Sequence, residues 1–218
     1  MDESARTAGS DLDIVVCLPD DAAGHRASFR WRGWPVEVFA NPEAGHRWFL
    51  EKETAQRKPT LARMIATGVQ VAGAPGAAEM YQAECGALLE AGPTPSDTAL
   101  EDLRYSMTDL LDDLAYVRDS GEATVMRHLL WERTAHLALA AMGRWDGGGK
   151  WLLRELRAWD PVWAVRWLGA RDDGEALVAL AKDTLEVAGG PVFEGYLRAA
   201  PVVYATGLHG SGRSAPSR

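Results

Sequence analysis

The stretch Ser10-Asp11-Leu12-Asp13-Ile14-Val15-Val16 decides how the rest of the chain is read. Two carboxylates one residue apart open an apolar, β-branched run. That is the pattern of a buried strand beginning at Asp11 and reaching about Leu18, where Pro19-Asp20-Asp21 turns the chain. Side chains alternate along a strand, so Asp11 and Asp13 share one face and Leu12 takes the other. Two acids on one face repel each other and resist desolvation. A divalent cation offsets that cost, because hard cations take carboxylate oxygens. The alternative is that one Asp caps a turn while the other is solvated.

A second strand is expected at Ser28-Phe29-Arg30-Trp31-Arg32, closed by Gly33-Trp34-Pro35, and a third at Val36-Glu37-Val38-Phe39, ended by Asn41-Pro42. Glu37 is an acid among valines on a strand that otherwise reads as core. Three carboxylates converging at one end of a sheet can hold two Mg²⁺ ions roughly 3.5–4 Å apart, which clamp the attacking and leaving oxygens of a phosphoryl or nucleotidyl transfer.

Helical patterns follow at Glu43 to about Gln56 and at Thr60–Thr67, where Pro59 opens the turn. Gly68-Val69-Gln70-Val71-Ala72-Gly73 reads as a short edge strand, and Ala77–Leu89 as a helix. The cluster Gly92-Pro93-Thr94-Pro95 marks a domain boundary. Beyond it a helix capped by Ser96 or Asp97 is predicted to reach about Asp119, with Leu100, Leu103, Met107, Leu110, Leu114 and Val117 at alternating steps of three and four. Further helices are expected at about Glu122–Met142, Lys150–Ala158, Pro161–Leu168 and Asp173–Ala188. The fold class is therefore α+β: a small mixed-sheet domain over residues 1–92, a helical bundle over 93–198, and a tail over 199–218 whose Gly, Ser, Arg and Pro suggest disorder towards its end.

Composition narrows the function classes. The net charge of −8 lacks the basic stripe of a nucleic-acid binder and leaves room for cationic substrates. No apolar run approaches the ~20 residues of a membrane span. No basic-then-apolar leader is visible, and Cys17 and Cys85 have neither metal spacing nor a disulfide framework, so the expected compartment is the cytoplasm.

The strand Ser10-Asp11-Leu12-Asp13-Ile14-Val15-Val16 followed by Val36-Glu37-Val38 resembles the nucleotidyltransferase superfamily that includes DNA polymerase beta and the aminoglycoside nucleotidyltransferases. The order of elements is similar too. The runs Glu101-Asp102-Leu103-Arg104-Tyr105 and Asp109-Leu110-Leu111-Asp112-Asp113-Leu114 resemble the helical halves of bacterial, antibiotic-modifying members. The resemblance implies that Asp11 and Asp13 are metal ligands and that Glu37 is a third ligand or the base that activates an acceptor hydroxyl. It also implies a two-metal Mg²⁺ site, with a nucleoside triphosphate, ATP being the expected one, as substrate. In the family a Gly-Ser pair begins a helix roughly ten residues or more before the carboxylate strand and holds the phosphates. Here Gly9-Ser10 abuts Asp11 directly. The expectations are a natural chain extending upstream of Met1 or a reduced relative, with Ser10 the nearest nucleotide-binding candidate in these residues.

Other stretches carry weaker signals. Between Pro93 and Glu122 lie eight acids against Arg104 and Arg118, most of the chain's net charge. At the helical period Asp102, Asp109 and Asp113 form a stripe beside the apolar seam that could bind a cationic acceptor or serve as general base; a solvated helix face is the alternative. Arg144-Trp145-Asp146-Gly147-Gly148-Gly149-Lys150 fails the phosphate-loop template in its spacing and its missing Ser or Thr. Lys150 stays a nucleotide-binding candidate as a point charge on a phosphate, or else a solvated connector residue. His128, Glu132 and His136 step by four along one helix but lack the His-Glu-x-x-His order of a zinc site. Trp145, Trp151, Trp159, Trp163 and Trp167 read as packing residues.

The expected activity is Mg²⁺-dependent transfer of a nucleoside monophosphate from a nucleoside triphosphate to a small hydroxylated acceptor, with a cationic antibiotic among the acceptors considered and no membrane or nucleic-acid partner. A catalytically silent binding or regulatory protein, or a toxin–antitoxin component, is the alternative. Oligomeric state is not legible.

Overall fold

The computed structural model describes residues 9–94 and 96–199; the expected tail beyond 199 and Pro95 of the boundary cluster lie outside these residues. Three strands come first: β1 (Leu12–Leu18), β2 (His25–Trp31) and β3 (Trp34–Pro42). Arg32 and Gly33 join β2 to β3 with φ of 50° and 88°, the left-handed pair that lets a two-residue hairpin follow the natural strand twist. β3 is central. It pairs antiparallel with β2 and parallel with β1, giving the order β1-β3-β2.

Eight helices follow among the described residues: α1 (Glu43–Ala55), α2 (Thr60–Ala66), α3 (Glu79–Ala91), α4 (Asp97–Tyr116), α5 (Ser120–Ala141), α6 (Lys150–Trp159), α7 (Pro161–Gly169) and α8 (Gly174–Val187). The mixed sheet with its helices is an α+β fold, as expected. Side chains cap several starts: Ser96 accepts from the Ala99 amide, Asp119 from Glu122, and Asp160 and Asp173 from the first amides of α7 and α8. None of the helices is long and apolar enough to cross a membrane among the described residues.

Several bounds differ from expectation. Arg32 lies in the turn, and Trp34 and Pro35 open β3 instead of closing β2. No residue of β1 is fully buried, and α4 ends at Tyr116 rather than near Asp119, leaving Val117 extended as its C-cap. One expected element is absent altogether. Val69-Gln70-Val71 is not a strand but part of the loop between α2 and α3, with both valines exposed. The Gln70 amide donates to the carbonyls of Ala72 and Ala74 and accepts from the Ala78 amide. A side chain thus satisfies backbone groups that a strand partner would otherwise have to meet.

Two apolar clusters hold the molecule. Leu61, Ala62, Ile65 and Cys85 form the first, with Val15 of β1, Leu50, Tyr81, Leu88 and Leu89 packed on it. The larger one lies among α4–α8, around Met107, Leu130, Leu137, Leu139, Leu156, Trp167, Leu177 and Leu185. Within it the Trp131 and Trp167 rings stack at 3.9 Å, and each indole N–H donates to the other residue's carbonyl. Of the tryptophans expected to pack, Trp145 and Trp167 are buried and Trp159 and Trp163 half-buried, whereas Trp151 is exposed. The two clusters are joined by the Trp145 indole on the Leu89 carbonyl (2.9 Å) and by the Arg63–Glu155 ion pair (2.7 Å).

Candidate active site

Because β1 and β3 run parallel with Asp13 opposite Glu37, the two acids emerge on one face of adjacent strands, and Asp11, two residues before Asp13, joins them. One carboxylate oxygen from each of the three lies within 4.8 Å of the others. Val15, next along the same face, packs on α2 and α3. The acids therefore occupy the open end of a face whose other end is covered. Burial, followed by the charges of Asp11 and Glu37, holds the Asp13 carboxyl above its usual range, while Arg26 and Lys150 act against that rise. Three clustered hard oxygen donors suit a divalent cation such as Mg²⁺.

Arg26 was missed at the sequence level. It stands on β2 opposite Phe39, its guanidinium donates to Glu37 Oε2 at 2.7 Å, and it lies 4.7 Å above the Phe39 ring. Alternation in His25–Trp31 puts Arg26, Ser28 and Arg30 on one face, but only the pairing with β3 makes that the acidic face.

Lys150 begins α6 and is exposed, and its charge is the weakest of those that act on the Asp13 carboxyl. Ser10 sits half-buried beside Asp11. The acidic stripe of α4 does not stay together as a free surface. Asp102 accepts from the Tyr196 hydroxyl and from Arg198, which also pairs with Glu101, whereas Asp109 and Asp113 are exposed. Tyr196 is held in turn by stacking on Tyr105 at 4.0 Å.

The His128–Glu132–His136 set also separates. His136 turns its Nδ1 to Asp146 at 2.7 Å and leaves Glu132 3.8 Å from Nε2, while His128 lies against Trp131. Both cysteines are free; burial pushes the Cys85 thiol up to about 11, which makes it unreactive. His46 is fully buried, and the Phe39 main chain is the polar group that acts on its ring. Burial lowers its pKa, although the Phe39 main chain opposes that, so a neutral packing imidazole results.

No protein-family model matches this sequence, nor does any curated protein sequence. In structure the chain is similar to a nucleotidyltransferase-like protein from Exiguobacterium sibiricum 255-15, at 12% sequence identity and a TM-score of 0.44. The similarity covers 81% of this chain and 60% of that one, so the chain spans less than two thirds of that protein's length.

Proposed function

We propose that the protein is a Mg²⁺-dependent nucleotidyltransferase, which moves a nucleoside monophosphate from a nucleoside triphosphate to a small hydroxylated acceptor. The observation that carries this reading is the convergence of Asp11, Asp13 and Glu37 on one open sheet face. These three would hold Mg²⁺, which when bound offsets triphosphate charge and eases ionisation of an attacking hydroxyl. The chain's own groups supply the rest. Lys150, whose charge acts on the Asp13 carboxyl, would offer a compact positive charge to a phosphate oxygen. Glu37, or an acid beside it, takes the acceptor's proton as the acceptor oxygen bonds to the α-phosphorus and pyrophosphate leaves. Asp109 and Asp113 are open to a cationic acceptor, whereas Asp102 becomes so only if Arg198 lets go.

A silent, binding-only role is the second reading, and the Arg26–Glu37 ion pair favours it, because a cation of the chain itself already neutralises one of the three acids. The discriminating experiment incubates the protein with Mg²⁺, each of the four ribonucleoside triphosphates and a panel of hydroxylated acceptors, aminoglycosides included, and measures pyrophosphate release. Asp11→Asn and Asp13→Asn should abolish release while leaving the fold intact; turnover retained in either variant rejects the transferase reading.

A further inference from the structure

The acidic face of the sheet continues past Asp11 towards the β2–β3 turn, and the strand register fixes its rows. Glu37 stands level with Asp13 on β1 and with Ser28 on β2. One row further on, Pro35 pairs with Arg30, and Asp11 precedes the paired Leu12 as Pro35 precedes Val36. Residues two apart on a strand share a face, so Asp11, Pro35 and Arg30 form a row next to that of Asp13 and Glu37. Strands lie about 4.8 Å apart, which puts the Arg30 backbone about 10 Å from that of Asp11, with a proline between them.

This row borders an open cavity of about 350 Å³ lined by Gly9, Arg30, Gly33, Trp34 and Pro35. Its wall therefore includes the residue two before Asp11 and the residue two before Glu37. The short Pro35 ring and the two glycines leave space that longer side chains would fill.

The cations of this face differ in their partners. Arg26 is neutralised by Glu37 at 2.7 Å. Arg30 is exposed and donates Nη1 to the Gly33 carbonyl at 3.1 Å, an uncharged group, and it makes no ion pair among the described residues. One edge of its guanidinium is thus anchored to the turn, while its charge and its other N–H donors stay available to an anion. A planar fork of this kind matches phosphate oxygens. A guanidinium set two strands away from three metal-binding acids suits a ligand that carries Mg²⁺ at one end and unneutralised phosphate at the other. A polyphosphate chain has that form, whereas a single phosphate cannot reach both groups.

We propose that Arg30 binds the outer phosphates of a polyphosphate chain whose inner end is held, with Mg²⁺, by Asp11, Asp13 and Glu37. This rests on the nucleotidyl-transfer reading above and adds to it a residue that separates triphosphates from shorter phosphates.

The test titrates the full chain calorimetrically with Mg²⁺ alone, and with orthophosphate or inorganic tripolyphosphate in the presence of Mg²⁺. Arg30→Gln should weaken tripolyphosphate binding about tenfold, as for the loss of one charge-assisted contact. Orthophosphate and Mg²⁺ should bind this variant as they bind the unmodified protein. Arg30→Lys, which keeps the charge without the fork, should recover part of the loss. Pro35→Leu fills the cavity without changing any charge, so it should weaken tripolyphosphate and spare Mg²⁺; this variant decides the matter if Arg30→Gln fails to fold. Tripolyphosphate affinity unchanged by Arg30→Gln, or an equal loss for orthophosphate, overturns the role of Arg30 and leaves the transferase reading standing. Absence of tripolyphosphate binding by the unmodified protein in Mg²⁺ overturns both.

Discussion

Asp13 and Glu37 stand directly opposite each other across the parallel pairing of β1 with β3, with Asp11 beside them on the same face. Like charges opposed across strands destabilise a sheet, by up to about 1 kcal/mol for an exposed pair. The arrangement breaks a local rule of sheet stability, and departures of that kind concentrate where function requires them.

Removing one of the opposed charges should therefore relax the sheet. Asp13→Asn is expected to raise urea-unfolding stability by up to about 1 kcal/mol in the presence of a chelator. Mg²⁺ should stabilise the unmodified protein, through preferential binding to the folded state, and leave the variant unchanged. Equal Mg²⁺ stabilisation of both proteins would contradict a metal role for Asp13.

Arg26 competes for the same acid. Its guanidinium already occupies Glu37 Oε2, so Arg26→Gln should free that oxygen, remove a nearby positive charge and tighten Mg²⁺ binding several-fold. Isothermal titration at low and high salt checks this, with the gain shrinking at high salt. Weaker Mg²⁺ binding in the variant would show that Arg26 supports the site rather than competing for it.

Glu53 gives a pH signature away from the acidic cluster. Its carboxylate accepts the Leu61 amide at 2.7 Å at the start of α2, and burial, partly opposed by the Leu61 and Thr60 amides, holds its pKa above the ordinary 4.5. A raised pKa means that the folded protein holds this proton more tightly than the unfolded chain. The Glu53 contribution to stability therefore grows as pH falls through the raised value and is lost as pH rises above it. Glu53→Gln, which keeps an acceptor oxygen, should flatten that part of the curve; urea melts between pH 4 and pH 7 report the slope.

The Trp131–Trp167 pair should dominate stability in the helical half. Trp167→Ala removes a buried ring and the indole N–H that donates to the Trp131 carbonyl, while the Trp131 indole keeps the main-chain carbonyl of residue 167. The cost is about 3–5 kcal/mol, most of it from the lost ring. Trp131→Phe keeps most of the apolar area and loses one hydrogen bond, for about 1 kcal/mol. Chemical denaturation orders the two variants; a Trp167→Ala cost near that of Trp131→Phe would mean that the cluster around Leu130 and Leu177 collapses to fill the space.

Local periodicity and turn chemistry encode part of this fold within short stretches of the chain. The β-branched run after Asp11 specifies β1, and the alternation of Leu100, Leu103, Met107, Leu110 and Leu114 specifies α4, although the helix stops at Tyr116 and leaves Val117, the last of the expected seam, extended. Period-two geometry alone placed Asp11 and Asp13 on one face. Val69-Gln70-Val71 shows where local reading ends. Its composition suits a strand, yet a strand exists only through a neighbouring chain, and here the Gln70 side chain meets the loop's backbone instead. The remaining decisions were likewise long-range. Only the β1–β3 register brings Glu37 opposite Asp13, and only the β2–β3 register turns Arg26 onto it. Arg198 engages Asp102 from 96 residues away, and Asp146 ties Lys150's loop to Arg57. Tertiary structure had to decide these contacts, because no period or motif links residues that far apart in the chain; packing of the two apolar clusters brings them together.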